Sequence, residues 1–444
     1  MAANNILNYE LAPSPATVFG CLLPAPWLGM VAGLLLVFVP LSTSLSGLPD
    51  RFSPLTLALT HVLVLGMLTP VMIGALFQLM PVVAGQTVRA ARWIAPFVAL
   101  GSALIASGLA IGFLKGQRLG FILAAVLAVM LYGAVILALA TTAWRITVTD
   151  ATTRTLRYIP IAFAAVIAFG VTLAGNLVGW WHIDLMSVLN LHVAWGLYGW
   201  IAALVAGVAS TVVPMFWQTR RPDARWQRSL PAIFLFPLCF ASLPSLWLAA
   251  LSCACLLMWG FGLLALRALW RAKRRFDPAW IMWLVSTCSW LLAAAMTMLM
   301  SVTSAYFPTY LPQSLTACMP WWIGVLSLVG GAVLPVNAML GKIIPFLVFL
   351  HLRRQIPSGR RVPTMQAVLP PQRLRWQAWL VLSALCLLLV LPVAPAMFAP
   401  IAGIVFAMSQ AYMGSLLLLT LLRYRKELRS LFLTRTALDI PQTN

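Results

Sequence analysis

Long apolar stretches alternate with short basic or Pro/Gly-rich segments along almost the whole chain. A helix needs about 20 mainly apolar residues to cross the hydrocarbon core of a bilayer. The pattern therefore predicts an all-α integral membrane bundle of about twelve transmembrane helices. The predicted spans are residues 24–46, 55–82, 93–114, 119–143, 157–178, 190–216, 229–245, 246–268, 279–303, 321–350, 376–398 and 399–422. Only Leu243-Pro244-Ser245 separates the seventh span from the eighth.

The amino-acid composition agrees with a membrane location. Hydrophobic residues make up 62% of the chain and charged residues 8%, whereas roughly a quarter of the residues of a soluble domain are charged. A soluble fold of this size could not cover its surface with so few charges. No small-residue cleavage site follows the first span, so we expect a retained helix rather than a removable signal.

Basic residues fall mainly in alternate loops, and this pattern predicts the orientation of the chain. Lys and Arg accumulate on the cytoplasmic side of a membrane. One set of loops contains only Arg51, Lys115 and Arg118. The other set, with the C-terminal tail, contains the clusters at 89–92, 145–157, 220–228, 267–275, 353–375 and 423–435. The pattern predicts a multi-pass protein of a bacterial inner membrane with both termini in the cytoplasm.

The net charge of +21 is therefore mainly a topology signal. It also favours membrane lipids with anionic head groups as partners, and it gives no reason to expect a nucleic acid. The acidic residues all lie in predicted loops or tails, which argues against a proton-coupled carrier built on membrane carboxylates. They are Glu10, Asp50, Asp150, Asp184, Asp223, Asp277, Glu427 and Asp439.

Three predicted spans share a frame of small residues that ends in a proline, which indicates an internal repeat. The frame is Gly66, Gly74 and Pro81 in span two; Gly199, Gly207 and Pro214 in span six; and Gly330, Ala338 and Pro345 in span ten. The first glycine precedes the proline by 15 residues in each copy, and the copies are offset by 133 and then 131 residues. We expect one transmembrane domain, 1–444, with pseudo-repeats at about 1–150, 151–278 and 279–444.

Each repeat would supply four helices, and its second helix would lie inside a pseudo-threefold bundle. Glycine at matched depth allows neighbouring helix backbones to approach closely, and a late proline bends a helix where it leaves the bundle. We therefore expect the matched small residues to draw spans two, six and ten together.

Two histidines are predicted at similar depth near the outer ends of spans two and six. In the repeat frame His61 and His192 differ by two positions, or about 3 Å along a helix. An ionisable side chain inside a membrane span is costly, so such residues are candidates for function. We expect both imidazoles to approach one point near the outer surface.

Below His192, one face of span six carries Gly196, Gly199, Ala203, Ala206 and Ser210. A smooth face of this kind fits a flat macrocycle held by axial histidine, and this predicts haem b with His61 and His192 as ligands of its iron. The alternative is a close helix-packing seam in which His192 is only an interfacial hydrogen-bond donor.

Other polar residues offer weaker candidates. His182 follows two tryptophans in an outer loop, where an interfacial anchor is the simpler interpretation than a ligand. His351 ends span ten and is expected to be solvated. Lys342 either snorkels to the inner head groups or is a buried charge that faces Gln78 or a ligand carboxylate. No P-loop, dinucleotide-binding glycine pattern or His-Glu-x-x-His motif is present, and no catalytic residue is identified.

Twelve spans in three groups of four, with the second helix of each group inside, resemble subunit I of the haem–copper oxidases and the related NnrS-like membrane proteins. The segment from Thr60 to Gly66 occupies the place where that family has an outer histidine on its second helix, which implies a low-spin haem ligand at His61. His192 falls on the sixth helix, where the family's copper-binding histidine lies, so copper is also implied.

The chain departs from the family at residues that the family needs for its reaction. The outer half of span ten and all of span seven contain no histidine, so the haem–copper centre that reduces dioxygen cannot be assembled. The resemblance therefore implies a haem-binding, oxidase-like or NnrS-like protein, with a role in electron transfer or the response to nitric oxide and with partners in respiration or nitric-oxide metabolism. Whether it is an enzyme stays open. The alternatives are a transporter of a small solute that uses Lys342, Gln78 and Asn337, and an assembly or scaffold protein of a respiratory complex.

Overall fold

The computed structural model describes residues 11–38, 50–147, 150–220, 223–356 and 362–438. All regular secondary structure in these ranges is helical. Twelve long helices follow the chain and are labelled here as α1 Pro15–Phe38, α2 Pro54–Ala84, α3 Ala91–Lys115, α4 Arg118–Ala143, α5 Ala151–Val178, α6 Leu185–Trp217, α7 Ala224–Ala241, α8 Pro244–Trp270, α9 Pro278–Tyr306, α10 Gln313–Gln355, α11 Pro371–Val393 and α12 Pro395–Leu438. A short helix, Met365–Val368, precedes α11.

Eleven of these helices are long and apolar enough to cross a membrane, which confirms a multi-pass membrane protein within the described residues. The exception is α7, the helix that corresponds to the predicted span at 229–245. Its described apolar part, Arg228–Ala241, is shorter than the others, and Pro231 and Pro237 lie inside it.

The predicted break between spans seven and eight is present, because Ala241 ends α7 and a 3-10 turn begins at Pro244. The end of predicted span one, 39–46, lies outside the described residues, as do Glu10, Asp439 and the basic residues Arg221, Arg360 and Arg361. Helices α6 and α10 extend beyond their predicted spans at both ends.

Several predicted loop acids serve as helix caps. Asp150 accepts a hydrogen bond from the backbone N–H of Thr153 at 2.8 Å, and Asp277 accepts one from Trp280 at 2.7 Å. Asp184 begins α6, and hydrogen bonds donated by Ser187 hold the pKa of this carboxyl below its usual value. A capping carboxylate satisfies one of the backbone donors that the first turn of a helix leaves unpaired.

Helices α2, α6 and α10 each contain a π-helical segment. These segments are Val62–Leu68, Trp195–Ala202 and Leu326–Val333. Their first residues are separated by 133 and then 131 positions, which are the offsets of the glycine and proline frame. A π turn is a rare irregularity that is often found at functional sites. The same irregularity therefore occurs at matched positions in the three helices.

Burial also distinguishes these three helices from the rest. In an 18-residue apolar stretch of each helix, 78% of the residues are buried in α2, 61% in α6 and 67% in α10. In the other membrane-spanning candidates this share does not exceed 50%. The remaining nine helices contact one another in a closed order that runs α1, α3, α4, α5, α7, α8, α9, α11, α12 and back to α1. The π segment of α10 contacts those of α2 and α6.

The matched glycines pack against other helices than expected. A Cβ atom on Gly74 would lie 2.8 Å from Cys21 of α1, and one on Gly207 would lie 2.6 Å from Thr155 of α5. A Cβ atom on Gly330 would meet Ser289 of α9. The prediction that these glycines draw α2, α6 and α10 together is therefore wrong. Each glycine instead allows one of the outer helices, α1, α5 or α9, to approach closely.

Backbone-to-backbone packing is closest where α3 and α4 form a hairpin. A Cβ atom on Gly120 would lie 2.5 Å from the carbonyl oxygen of Gly108 and 2.9 Å from the backbone nitrogen of Gly112. Gly133, on the same helix, has no atom within 4 Å of such a Cβ.

We expect Gly120→Ala to destabilise the protein by about 1–3 kcal/mol, because the two helix backbones must separate. Gly133→Ala is the matched control and should stabilise by up to about 1 kcal/mol through helix propensity. The thermal unfolding midpoint of each variant in lipid nanodiscs measures the difference. Equal midpoints for the two variants would contradict the close hairpin.

Candidate functional site

His61 and His192 lie next to each other, as predicted. Their ring centres are 6.3 Å apart and the ring planes differ by 10°. His61 is the last residue of α2 before its π segment, and His192 lies three residues before the π segment of α6. Both side chains are half-buried. Two helices that are distant in sequence therefore bring a pair of parallel imidazoles together.

Backbone carbonyls hold both rings by the same nitrogen. Nδ1 of His61 lies 2.7 Å from the carbonyl oxygen of Leu57, and Nδ1 of His192 lies 3.1 Å from that of Val166. A carbonyl only accepts, so each Nδ1 carries the proton that it donates and each neutral ring has a lone pair at Nε2. Neither Nε2 has a hydrogen-bond partner among the described residues. This is the arrangement that metal-ligating histidines usually show.

The spacing of the rings also suits a shared metal. Two imidazoles bound on opposite sides of one ion, through bonds of about 2.0–2.1 Å, have ring centres about 6 Å apart. Within the described ranges, no group of three or more His, Cys, Asp or Glu residues could hold a metal ion. Structural and catalytic zinc sites have three or four protein ligands, whereas haem supplies four ligands of its own. The pair therefore fits the axial positions of a haem better than a bare ion.

Small and aromatic residues shape the surroundings of the rings. A Cβ atom on Gly170 of α5 would lie 3.1 Å from Cε1 of His192, so the glycine leaves room for that ring. Phe113 of α3 lies beside His61 with ring centres 5.2 Å apart. Trp195, one turn after His192, is buried, and its indole N–H has no partner in the part of the chain that the structure describes.

Few side chains of the protein cover the outer part of α6. Leu185–Ala194 contains no buried residue, although α6 is one of the three most buried helices. The hydrophobic core is also divided here: Trp195 packs with Ala162 and Leu238 in a small cluster separate from the main core. The outer part of α6, which carries His192, is therefore partly exposed at the surface of the structure.

The smooth face below His192 is a packing seam at Gly196 and Gly199. A Cβ atom on Gly196 would lie 3.3 Å from Val166 of α5, and one on Gly199 would lie 2.8 Å from Leu238 of α7. Ala203 and Ala206 are buried. This face therefore accommodates helices α5 and α7, and it leaves no room for a flat macrocycle along the glycines themselves.

The other two histidines are separate from the pair. His182 is exposed in the loop between α5 and α6. His351 accepts or donates at both nitrogens: Tyr424 of α12 contacts Nδ1, and the Gln355 amide lies 3.2 Å from Nε2. The expectation that His351 is simply solvated is therefore incomplete, because it joins α10 to α12.

Lys342 forms an ion pair that the sequence did not reveal. Its Nζ lies 2.7 Å from Oδ2 of Asp277, and the Trp217 indole N–H donates to the same oxygen at 3.2 Å. The lysine neither extends alone to head groups nor faces Gln78. Asp277 thus joins the end of α6, the start of α9 and the inner part of α10.

Gln78 lines an apolar cavity of about 90 Å³ between α2, α6 and α10, together with Trp283 and Met339. Asn337 is fully buried, and both polar atoms of its amide lack a partner among the described residues. Lys342 does not line this cavity. The three residues expected for a transporter therefore do not share one site.

Comparisons with models of known protein families and with curated proteins find no match to the chain. The resemblance to haem–copper oxidases and NnrS-like proteins therefore stays a prediction that depends on architecture and on His61 and His192.

We expect Lys342→Met to destabilise the protein by less than about 1 kcal/mol, because both partners of the ion pair are about a third exposed and screened by solvent. Asp277→Ala should cost more, since it also removes a helix cap that contributes about 1 kcal/mol. In the Asp277→Ala background, Lys342→Met should have no further effect on the unfolding midpoint. Lys115→Met, at the exposed end of α3, is the control. An equal cost of Lys342→Met in both backgrounds would show that the pair does not stabilise the fold.

Proposed function

We propose that the chain is a haem-binding membrane protein whose axial ligands are His61 and His192. The observation that carries the proposal is the pair of parallel imidazoles, 6.3 Å apart, with both Nδ1 atoms held by carbonyls. Each ring is fixed in the tautomer that leaves a lone pair at Nε2. The haem iron, when bound, would supply one-electron redox chemistry, and a small gas would bind to it only in place of one of the two histidines.

The residues of this chain would hold the group and set its surroundings. Leu57 and Val166 orient the rings through their carbonyls. Trp195 offers a buried N–H to an acceptor on a ligand. The partly exposed outer part of α6, Leu185–Ala194, rather than the packed glycine face, is the region that we assign to the macrocycle. The π segments next to both histidines set the rotation of each ring-bearing turn.

Three four-helix repeats, arranged with pseudo-threefold symmetry, are the architecture that we propose for this site. The matched π segments, the high burial of α2, α6 and α10, and the closed order of the other nine helices support it. We further propose that α7 crosses the membrane, which gives twelve crossings, and that both termini lie in the cytoplasm of a bacterial cell. The basic clusters in alternate loops support this orientation.

Within this proposal, the protein transfers electrons or responds to nitric oxide and lacks the full dioxygen-reducing site of an oxidase. The absence of histidine from span seven and from the outer half of span ten supports this limit. The partners would be proteins of respiration or nitric-oxide metabolism. Copper at the same pair would lack a third His, Cys, Asp or Glu ligand among the described residues.

The experiment is an absorption spectrum of the full chain, purified after expression with ample haem. We expect a Soret band that is lost in His61→Ala and in His192→Ala and retained in His182→Ala, since His182 is exposed and makes no ring contact with the pair. A haemochrome assay should give haem b. Absence of the band, or its persistence after both histidines are replaced, would end the proposal.

The orientation of the two imidazole rings provides a second, independent test of haem binding. Parallel axial imidazole planes produce a rhombic low-spin electron paramagnetic resonance spectrum, whereas perpendicular planes produce a highly anisotropic one. We expect the rhombic form from the 10° angle between the rings.

Gly170→Val should displace His192 and reduce haem occupancy, because its added atoms would meet the ring. Gly260→Val, where a Cβ meets no atom within 4 Å, is the matched control.

A further inference from the structure

A second cavity lies on the other side of α2 from the histidine pair. It has a volume of about 130 Å³ and lies between α1, α2, α10, α11 and α12. A single water needs only about 10–15 Å³ of such space. Its walls are almost entirely apolar, and they include Gly33, Trp321, Gly324 and Phe406. An elongated apolar group is therefore the kind of ligand that the interior suits.

The polar groups of this cleft are confined to one side. Arg51 and the hydroxyls of Thr56 and Thr60 line it. Thr56 is hydrogen-bonded to Ser53, whereas Thr60 has no hydrogen-bond partner among the described residues. The cleft thus combines an apolar interior with a cation and a free hydroxyl.

The charge of Arg51 is not neutralised by protein within the described ranges. The side chain is exposed and stacks over Phe52 at 4.5 Å, and it forms no ion pair within those ranges. Residues 39–49 contain no acid, and Asp50, which directly precedes Arg51, is exposed and forms no ion pair with it in the described ranges. Arg51 is therefore available to an anionic group of a ligand.

The cleft is distinct from the histidine site. Thr56, Thr60 and Leu63 are spaced by four and three residues, so they share one face of α2. His61 follows Thr60 by one position, which rotates its side chain by about 100° towards α3 and α6. A ligand in the cleft would not touch the imidazoles, and the cleft does not depend on bound haem.

We propose that this cleft binds one anionic phospholipid, with an acyl chain along the apolar walls and the phosphate at Arg51. The apolar walls disfavour a soluble anion, because it would lose its hydration without replacement. The unneutralised guanidinium disfavours a neutral head group and pairs well with phosphate oxygens. The Thr60 hydroxyl can donate to an ester oxygen. The surrounding bilayer supplies this ligand at high concentration.

Gly324 provides a sharp test, because a Cβ atom there would meet nothing within 4 Å. Gly324→Leu places a side chain in the cleft without a clash at its first atom. Gly260→Leu, on α8, is a matched control at another helical glycine with open space. Arg51→Gln removes the charge at an exposed position and carries the test alone if Gly324→Leu does not fold.

The experiment is native mass spectrometry of the delipidated full chain titrated with phosphatidylglycerol or with zwitterionic phosphatidylcholine. We expect one phosphatidylglycerol to bind, about tenfold more weakly in Arg51→Gln, not at all in Gly324→Leu, and normally in Gly260→Leu. The Soret band should be unchanged in Arg51→Gln, which separates this proposal from haem binding. Equal affinity for the two lipids, unchanged binding in Arg51→Gln or Gly324→Leu, or co-purification of a neutral isoprenoid in place of phospholipid would overturn it.

Discussion

Close contact between helix backbones is the constraint on which this structure depends. Lipid chains are as apolar as leucine, so helices in a bilayer gain little from burying apolar surface against one another. Their association relies on packing at small residues instead. Gly33 and Gly403 bring α1 against α12, and Gly108 and Gly120 bring α3 against α4. These contacts fix the positions of the outer helices, and the outer helices in turn position the histidines: α5 supplies both the carbonyl and the glycine that hold His192.

The hydrophobic pattern was sufficient to predict the helices, because span length follows directly from bilayer thickness. The pairing of His61 with His192 also followed from sequence, since the repeat frame gave their relative depth. The partners of the matched glycines did not follow. A glycine shows that something approaches closely, but its position in the sequence does not say which neighbouring helix does so. The structure places Cys21 and Thr155 at those contacts.

The ion pair of Lys342 and the hydrogen bonds of His351 were beyond sequence reasoning for a related reason. Asp277 is 65 residues from Lys342 and Tyr424 is 73 from His351, and each pair joins a helix to a segment near the same end of the bundle. Composition placed Asp277 correctly in a loop. It did not show that this carboxylate, at the start of α9, reaches Lys342 in the inner part of α10. The local sequence pattern indicates how deep a residue lies in the membrane and which face of its helix it occupies. Which other helix it contacts depends on the order of the helices around the bundle.

The sequence pattern did not predict the π segments. They determine how the side chains before and after each segment are rotated relative to one another around the helix axis. A π turn holds about one more residue than an α turn. If the seven residues Val62–Leu68 formed a regular α-helix instead, His61 would be rotated by about 100° relative to Pro81. The imidazole would then turn away from His192 while the proline end stayed in place. Each π segment therefore sets the rotation of the outer part of a central helix relative to its inner part, so that both parts face their own neighbouring helices.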